Sequence, residues 1–280
     1  MALEVVRPLD LYARYLATYC SVDFFSNFLV AHKIQSTSAN FSSWKSPQEW
    51  AQLLLHPISY LLDQHPSLAL TIGDHLGDNP VYLRLESIDL QQLIRVIPIK
   101  TSEEIGRVIE QEHNTPFNLS DNTSPLWRLL ISPIEDDNSS FYLSFVFQHS
   151  TSDGRSAMAM TEQFFEQLIL EPKWTDKTPN LSPCATTKIP ITSRKSIPAP
   201  IEGRVNCTPS KLKLLTTLAQ SLPFVNSVMK IFETKYWAGD FDCSAGAPFK
   251  VELTLMQLTG QETSKVIQAT KKRSTTVQSV

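Results

Sequence analysis

Two strand-length apolar runs, LWRLLISPI at 126–134 and FYLSFVFQH at 141–149, flank the polar stretch EDDNSS. Turn-forming residues between two such runs specify an antiparallel hairpin. Side chains alternate across a strand. Phe141, Leu143, Phe145, Phe147 and His149 therefore share one face, and Tyr142, Ser144, Val146 and Gln148 the other. His149 closes a column of aromatic side chains.

Helical patterns surround this hairpin. Leu9, Tyr12, Leu16 and Tyr19 recur at helical spacing before a β-like run from Phe24 to Ile34. Residues 47–64, PQEWAQLLLHPISYLLDQ, predict a helix begun by Pro47, with Trp50, Leu53, Leu54, Ile58, Leu61 and Leu62 as its buried stripe. Pro57 lies inside it and is expected to kink the helix or to join two shorter ones. Short β-like segments fall near 67–72, 80–86 and 93–98, and a helix is expected from Ser102 to His113. After the hairpin a helix from about Ser156 to Leu170 buries Met160, Phe164, Phe165 and Leu168.

Composition then shifts. Residues 171–210 hold seven of the 18 prolines and many Ser and Thr, which reads as an irregular crossover or a flexible linker. Beyond it lie a helical stretch over 211–236 interrupted at Pro223, a strand from Phe249 to Leu258, and a helix from Gly260 to about Lys272. Ser274 or Thr275 reads as an N-cap of one more helix. The expected division is a domain over 1–170, the crossover 171–210, and a helix–strand–helix segment over 211–280 that begins a second domain and is cut off.

With 280 residues, 42% hydrophobic and 19% charged, the chain can bury a sizeable core. A net charge of −3 and no basic stripe point away from nucleic acid. Cys20, Cys184, Cys207 and Cys243 are scattered without metal spacing and read as reduced thiols, so an intracellular, cytoplasmic location is expected. The first 20 residues do not read as a signal peptide, and no apolar run reaches the ~20 residues needed to span a bilayer. His32, His56, His65, His75 and His113 are dispersed, with no metal-ligand pattern, and surface or capping roles are expected for them. The stretch 212–232, LKLLTTLAQSLPFVNSVMKIF, is amphipathic to apolar. Packing over the domain is its expected role, with peripheral contact to a membrane (endoplasmic reticulum or lipid droplet) the minor alternative.

The chemistry concentrates at QHSTSDG, 148–154. An imidazole at the mouth of an apolar wall is suited to take a proton from a substrate, because an ordinary imidazole titrates near 6.5 and is partly neutral at cellular pH. Asp153 follows at a spacing that shares a face only in a helix, so its contact with His149 stays open. Gly154 suits a tight turn in a conformation closed to residues with a Cβ. The plain alternative is a half-buried histidine beside a turn aspartate.

QHSTSDG resembles the HHxxxDG motif of the CoA-dependent acyltransferases with the chloramphenicol acetyltransferase fold, and the fungal alcohol acetyltransferases fit best. RPLDLYARYLATYCSVDFFSNFLVAHKI at 7–34, HPSLALTI at 65–72, TPFNLSDNTSPLWRLLI at 115–131 and YWAGDF at 236–241 resemble further segments of that branch, in order. The resemblance implies an α/β fold, a mixed β-sheet flanked by helices, with the second of two domains largely missing here. It implies His149 as general base, Asp153 as the structural residue whose salt bridge orients the motif loop, and Gly154 as the turn glycine. It implies acyl-CoA, acetyl-CoA first, as co-substrate and a small alcohol or amine as acceptor, with no acyl-enzyme, no bound cofactor and no metal. Gln148 stands where the family usually has its first histidine, and glutamine also donates and accepts hydrogen bonds. The family's Asp-Phe-Gly-Trp-Gly segment is absent. Trp127 and Arg128 read as core tryptophan and strand arginine. Two other readings stand beside this one: an inactive relative acting as a binding module, and a condensation-like domain using a carrier-bound acyl group.

Overall fold

The computed structural model describes residues 3–22, 24, 27–36, 42–170, 186–204, 210–220, 250–273 and 275. Its centre is a four-stranded mixed sheet in the order β2-β8-β7-β6. β2 (Asn27–Gln35), β7 (Trp127–Ile134) and β8 (Asp137–Gln148) are antiparallel neighbours, while β6 (Ile94–Val96) runs parallel to β7. A second sheet, β1-β4-β3, joins β1 (Glu4–Pro8), β4 (Val81–Arg84) and β3 (Leu70–Gly73).

The hairpin forms, but its turn is tighter than EDDNSS. Ile134 already faces Asp137, so only Glu135 and Asp136 connect the strands. The register then shifts, and Pro133 pairs with Phe141. Asn138 to Ser140 are left out of the β7 ladder, and Ser140 pairs instead with Gln35 on β2. The Asp137 carboxylate holds this bulge by accepting from the Ser139 amide (3.0 Å) and hydroxyl (2.6 Å).

Both faces of the sheet are covered. On one, α2 (Pro47–Gln64) and α5 (Gly154–Leu170) pack on Phe141, Leu143, Phe145 and Phe147. On the other, α4 (Ile105–His113) packs on Leu130 and Val146. The strand alternation read from 141–149 is therefore the alternation between two cores. α2 starts with a capping box, the Ser46 hydroxyl accepting from the Glu49 amide (3.3 Å) and the Glu49 carboxylate from the Ser46 amide (2.7 Å). It does not divide at Pro57. Leu53, Leu54, Ile58 and Leu61 on either side of the proline enter the same core, and that burial holds one helix through the missing hydrogen bond.

Other expectations need correction. In α1 (Leu11–Ser21) the buried face is Ala13, Leu16, Ala17 and Cys20, because small residues let the helix approach Leu70, Ile72 and Tyr82 closely. The tyrosines turn outward, Tyr12 beside Tyr15 and Tyr15 beside Tyr19, at ring separations of 6.4 and 4.4 Å. Strand β5 (Ser87–Asp89) and the short helix α3 (Leu90–Leu93) precede β6 and were not legible as separate elements. Part of the proline-rich crossover is ordered: β9 (Lys188–Pro190) pairs with β5, and Ile189 and Ile191 enter the main core.

Of the 211–236 stretch, α6 (Lys211–Gln220) is described. Leu212, Leu214, Leu215 and Leu218 on it are exposed, which removes packing over the domain as the role of these leucines. Pro223, YWAGDF and the other three cysteines lie outside the described residues. Residues 250–258 form no regular element and pair with no strand among the described residues. Side chains of α4 take their backbone groups instead. Asn114 exchanges two hydrogen bonds with Val251 (2.8 and 2.9 Å), and Glu110 accepts from the Leu253 amide (3.0 Å). Leu255 is exposed. α7 (Gly260–Lys272) follows behind a Thr259–Glu262 capping box. Thr275 closes α7 by donating its amide to the Thr270 carbonyl (3.1 Å); Ser274 and any helix after it lie outside the described residues. No described helix is long and apolar enough to cross a membrane.

Candidate active site

His149 lies one residue beyond β8, at the start of the turn leading to α5. Its ring continues the aromatic column as expected. Phe145 and Phe147 are 6.1 Å apart, Phe147 and Phe28 5.5 Å, and Phe28 and His149 4.7 Å, centroid to centroid. The ring is half-buried at the end of that column.

Gln148 shapes the turn. It is fully buried, and its Oε1 accepts from the Ser150 amide (2.6 Å) and from the Ser150 hydroxyl. Its carbonyl accepts from the Thr151 amide (3.2 Å) and hydroxyl (3.0 Å). Tyr82 anchors the turn from the second sheet, its hydroxyl donating to the Ser150 carbonyl at 2.6 Å. Burial, then the nearby Asp10 carboxylate, pushes the Tyr82 phenol far above its ordinary value, so it stays protonated and remains a donor.

Asp153 is exposed and caps α5. Its Oδ1 accepts from the Ser156 amide (2.7 Å) and its carbonyl from the Ala157 amide (2.9 Å). Among the described residues it makes no ion pair. The Ser156 amide and hydroxyl hold its carboxyl below the ordinary carboxylate value, and the charge of His149 adds to the same direction. A lowered folded value means that the cap stabilises fully above the ordinary value near 3.9 and fades as pH falls through it. Asp153→Ala should cost about 1 kcal/mol in urea unfolding at pH 7. The gap between variant and parent should narrow as pH falls below the ordinary carboxylate value and through the lowered folded one.

Gly154 corrects another expectation. It is the first residue of α5, its φ is not in the left-handed region, and a Cβ there would meet nothing within 4 Å. No turn strain requires glycine. Gly154→Ala should leave stability unchanged or raise it by up to about 1 kcal/mol. A thermal melt of the variant falling below the parent would contradict this.

Trp127 and Arg128 have structural partners. Trp127 is buried and donates from Nε1 to the Leu68 carbonyl (2.7 Å). Arg128 donates to the buried Glu112 carboxylate and lies over the Phe117 ring, 4.2 Å from its centroid. A cleft of about 1020 Å³ runs past the motif, walled by Arg7, His65, Tyr82, Ser150, Thr151 and Ser156. His149 is not in its wall. His65 bonds Gln163 through Nε2 (2.9 Å), and His32 packs edge-on against Phe165 (4.8 Å). Sequence reasoning missed Tyr82 and Ser150 as supports. Ser156, three residues after Asp153, carried a capping signal that could have been read.

The fold and this turn define a class: an α/β domain that presents a histidine from the end of a central strand, ahead of a carboxylate-capped helix. A family model described as alcohol acetyltransferase matches residues 99–279. The chain belongs to the alcohol acetyltransferase family. It is 31% identical over 117 residues to the probable alcohol acetyltransferase crmB of Aspergillus fumigatus, a match covering 39% of this chain and 25% of that protein. The match thus spans about a quarter of that relative's length. Among solved structures, a four-domain nonribosomal peptide synthetase bound to AMP and glycine is similar over 59% of this chain and 12% of its own, at 16% identity and TM-score 0.40. The wax ester synthase/diacylglycerol acyltransferase of Marinobacter aquaeolei VT8 is similar over 55% and 37%, at 20% identity and TM-score 0.38.

Proposed function

We propose that this chain carries the proton-transfer half of an acyl-CoA-dependent acyltransferase site, with acetyl-CoA as donor and a small alcohol or amine as acceptor. His149 is the general base. Its neutral imidazole removes the acceptor proton as the acceptor oxygen or nitrogen attacks the thioester carbonyl carbon. The tetrahedral intermediate collapses with cleavage of the C–S bond, and CoA leaves as the thiol after taking that proton from the imidazolium. No bond forms between the acyl group and the protein. Asp153 and Gly154 belong to the scaffold: Asp153 caps α5 and sets where the turn ends, and Gly154 begins the helix without strain.

The observation that carries the reading is the placement of His149, at the end of the Phe145–Phe147–Phe28 column on a turn pinned by Gln148 and Tyr82. A water-poor wall beside an imidazole favours proton transfer to a bound substrate over exchange with solvent. The test is acetyl transfer by the purified chain, with acetyl-CoA and a panel of alcohols and amines, compared with His149→Ala. Product that depends on His149 supports the reading. Equal product from both chains removes His149 as base. Acetyl-CoA binding without product, under conditions where the fold is intact, would favour a binding module.

A further inference from the structure

The strand pair that carries His149 contains two buried amide side chains whose remaining polar ends match. Asn27 opens β2 and stands directly across from Gln148, the last residue of β8. They are 1% and 0% exposed, so bulk solvent does not reach them. Asn27 donates from Nδ2 to the carbonyls of Glu112 (2.9 Å) and Thr115 (3.0 Å), at the C-terminal end of α4. Gln148 accepts through Oε1 from Ser150. These bonds fix the orientation of both amides, since a flip of either would place like groups against each other. An acceptor, Asn27 Oδ1, and a donor, Gln148 Nε2, are left over, and neither has a partner among the described residues.

The sheet geometry brings them together. The Gln148 backbone amide donates to the Leu126 carbonyl, just before β7, and so points away from β2. Asn27 and Gln148 are therefore a non-hydrogen-bonded antiparallel pair, the kind with the closest side chains, Cβ atoms about 4.5–5.5 Å apart. The two leftover groups are not bonded to each other in the structure; a rotation that keeps the Asn27 Nδ2 and Gln148 Oε1 bonds would let donor meet acceptor, and buried polar groups are stabilised by such pairing.

We propose that Asn27 is a positioning residue for His149, acting through Gln148: Asn27 Oδ1 accepts from Gln148 Nε2, and this strut ties the end of α4 to the turn that presents the imidazole. Its far end is firm, because the Glu112 carboxylate is held by Arg95 (3.0 Å) and Arg128. Its near end is the Gln148–Ser150 bond that sets the turn. The consequence for catalysis rests on the reading of His149 as base, but the strut is tested without turnover.

Nuclear magnetic resonance of the full chain provides that test. In the parent, the Gln148 side-chain amide protons should show an Overhauser contact with the Asn27 side chain, and its absence overturns the proposal with no variant needed. In Asn27→Leu, the His149 ring protons should lose their ring-current displacement from Phe28, moving toward random-coil values. The His65 resonances, reporting a site held by Gln163, should stay in place. In a Gln148→Leu background, Asn27→Leu should have no further effect on His149, because the strut is already broken. An unmoved His149 in Asn27→Leu, or the same displacement in both backgrounds, overturns the proposal. A failure of the base reading appears elsewhere, as undiminished product from His149→Ala, and leaves the resonance result intact.

Discussion

His149→Ala should lower acyl transfer by about 10²–10⁴-fold, the range that a positioned general base contributes. The loss should fall on kcat at saturating acetyl-CoA, with little change in the KM for the donor, because the base acts on the acceptor proton in the transition state. The fold should survive. The ring is half-buried at the end of a strand, while the core packs around Phe141, Leu143, Phe145 and Phe147. Circular dichroism and a thermal melt of the variant check that point, and single-turnover rates with each acceptor measure the loss. A variant folded like the parent and equally fast would place the base elsewhere.

Glu112→Ala should destabilise the chain by about 3–5 kcal/mol, the largest loss of stability expected from a single polar residue here. Glu112 is 1% exposed, and its carboxylate accepts from Arg95 and from Arg128, whose side chain is 13% exposed. Without the carboxylate, Arg128 keeps its charge in a buried place with no anion to balance it. The cost is that of a stranded cation, not of a lost surface pair. Arg95, at 39% exposed, can turn to water, and Arg95→Ala should cost no more than about 1 kcal/mol. Replacing both members of the buried pair, Glu112→Met with Arg128→Leu, should recover much of the loss, since apolar residues of similar volume need no counter-charge. Urea unfolding of the four chains decides this. If Glu112→Ala and Arg95→Ala cost the same, the stranded-cation account is wrong.

Glu112 also shows why part of this protein was unreadable from its residues. Nothing in IGRVIEQEH marks this glutamate as buried rather than solvated, because its partners Arg95 and Arg128 come from β6 and β7. Asn27 is the same case. It read as an ordinary strand position, and only the register of β2 against β8 sets it opposite Gln148. Phe249–Leu258 failed in the other direction. Its alternation predicted a strand, but alternation records burial and cannot name the hydrogen-bonding partner, and here Asn114 and Glu110 took the backbone groups. α1 misled because its tyrosines have helical spacing while the close-packing face is made of alanines.

Local rules went far where local physics dominates. The bounds of α2 and α7 follow from capping boxes, Ser46 with Glu49 and Thr259 with Glu262, whose bonding is complete within one turn. The inward face of β8 follows from period-two alternation, and it aimed His149 along the aromatic column correctly. Tertiary structure decided what surrounds that histidine. Gln148 became the buried brace of the turn, Asp153 became a helix cap, and Gly154 proved to need no special conformation. The physical reason is one of range. Capping and alternation act within a few residues of sequence, whereas Tyr82 on β4, which holds the QHSTSDG turn, and Asn27 on β2, which faces it, reach it only when distant segments pack together.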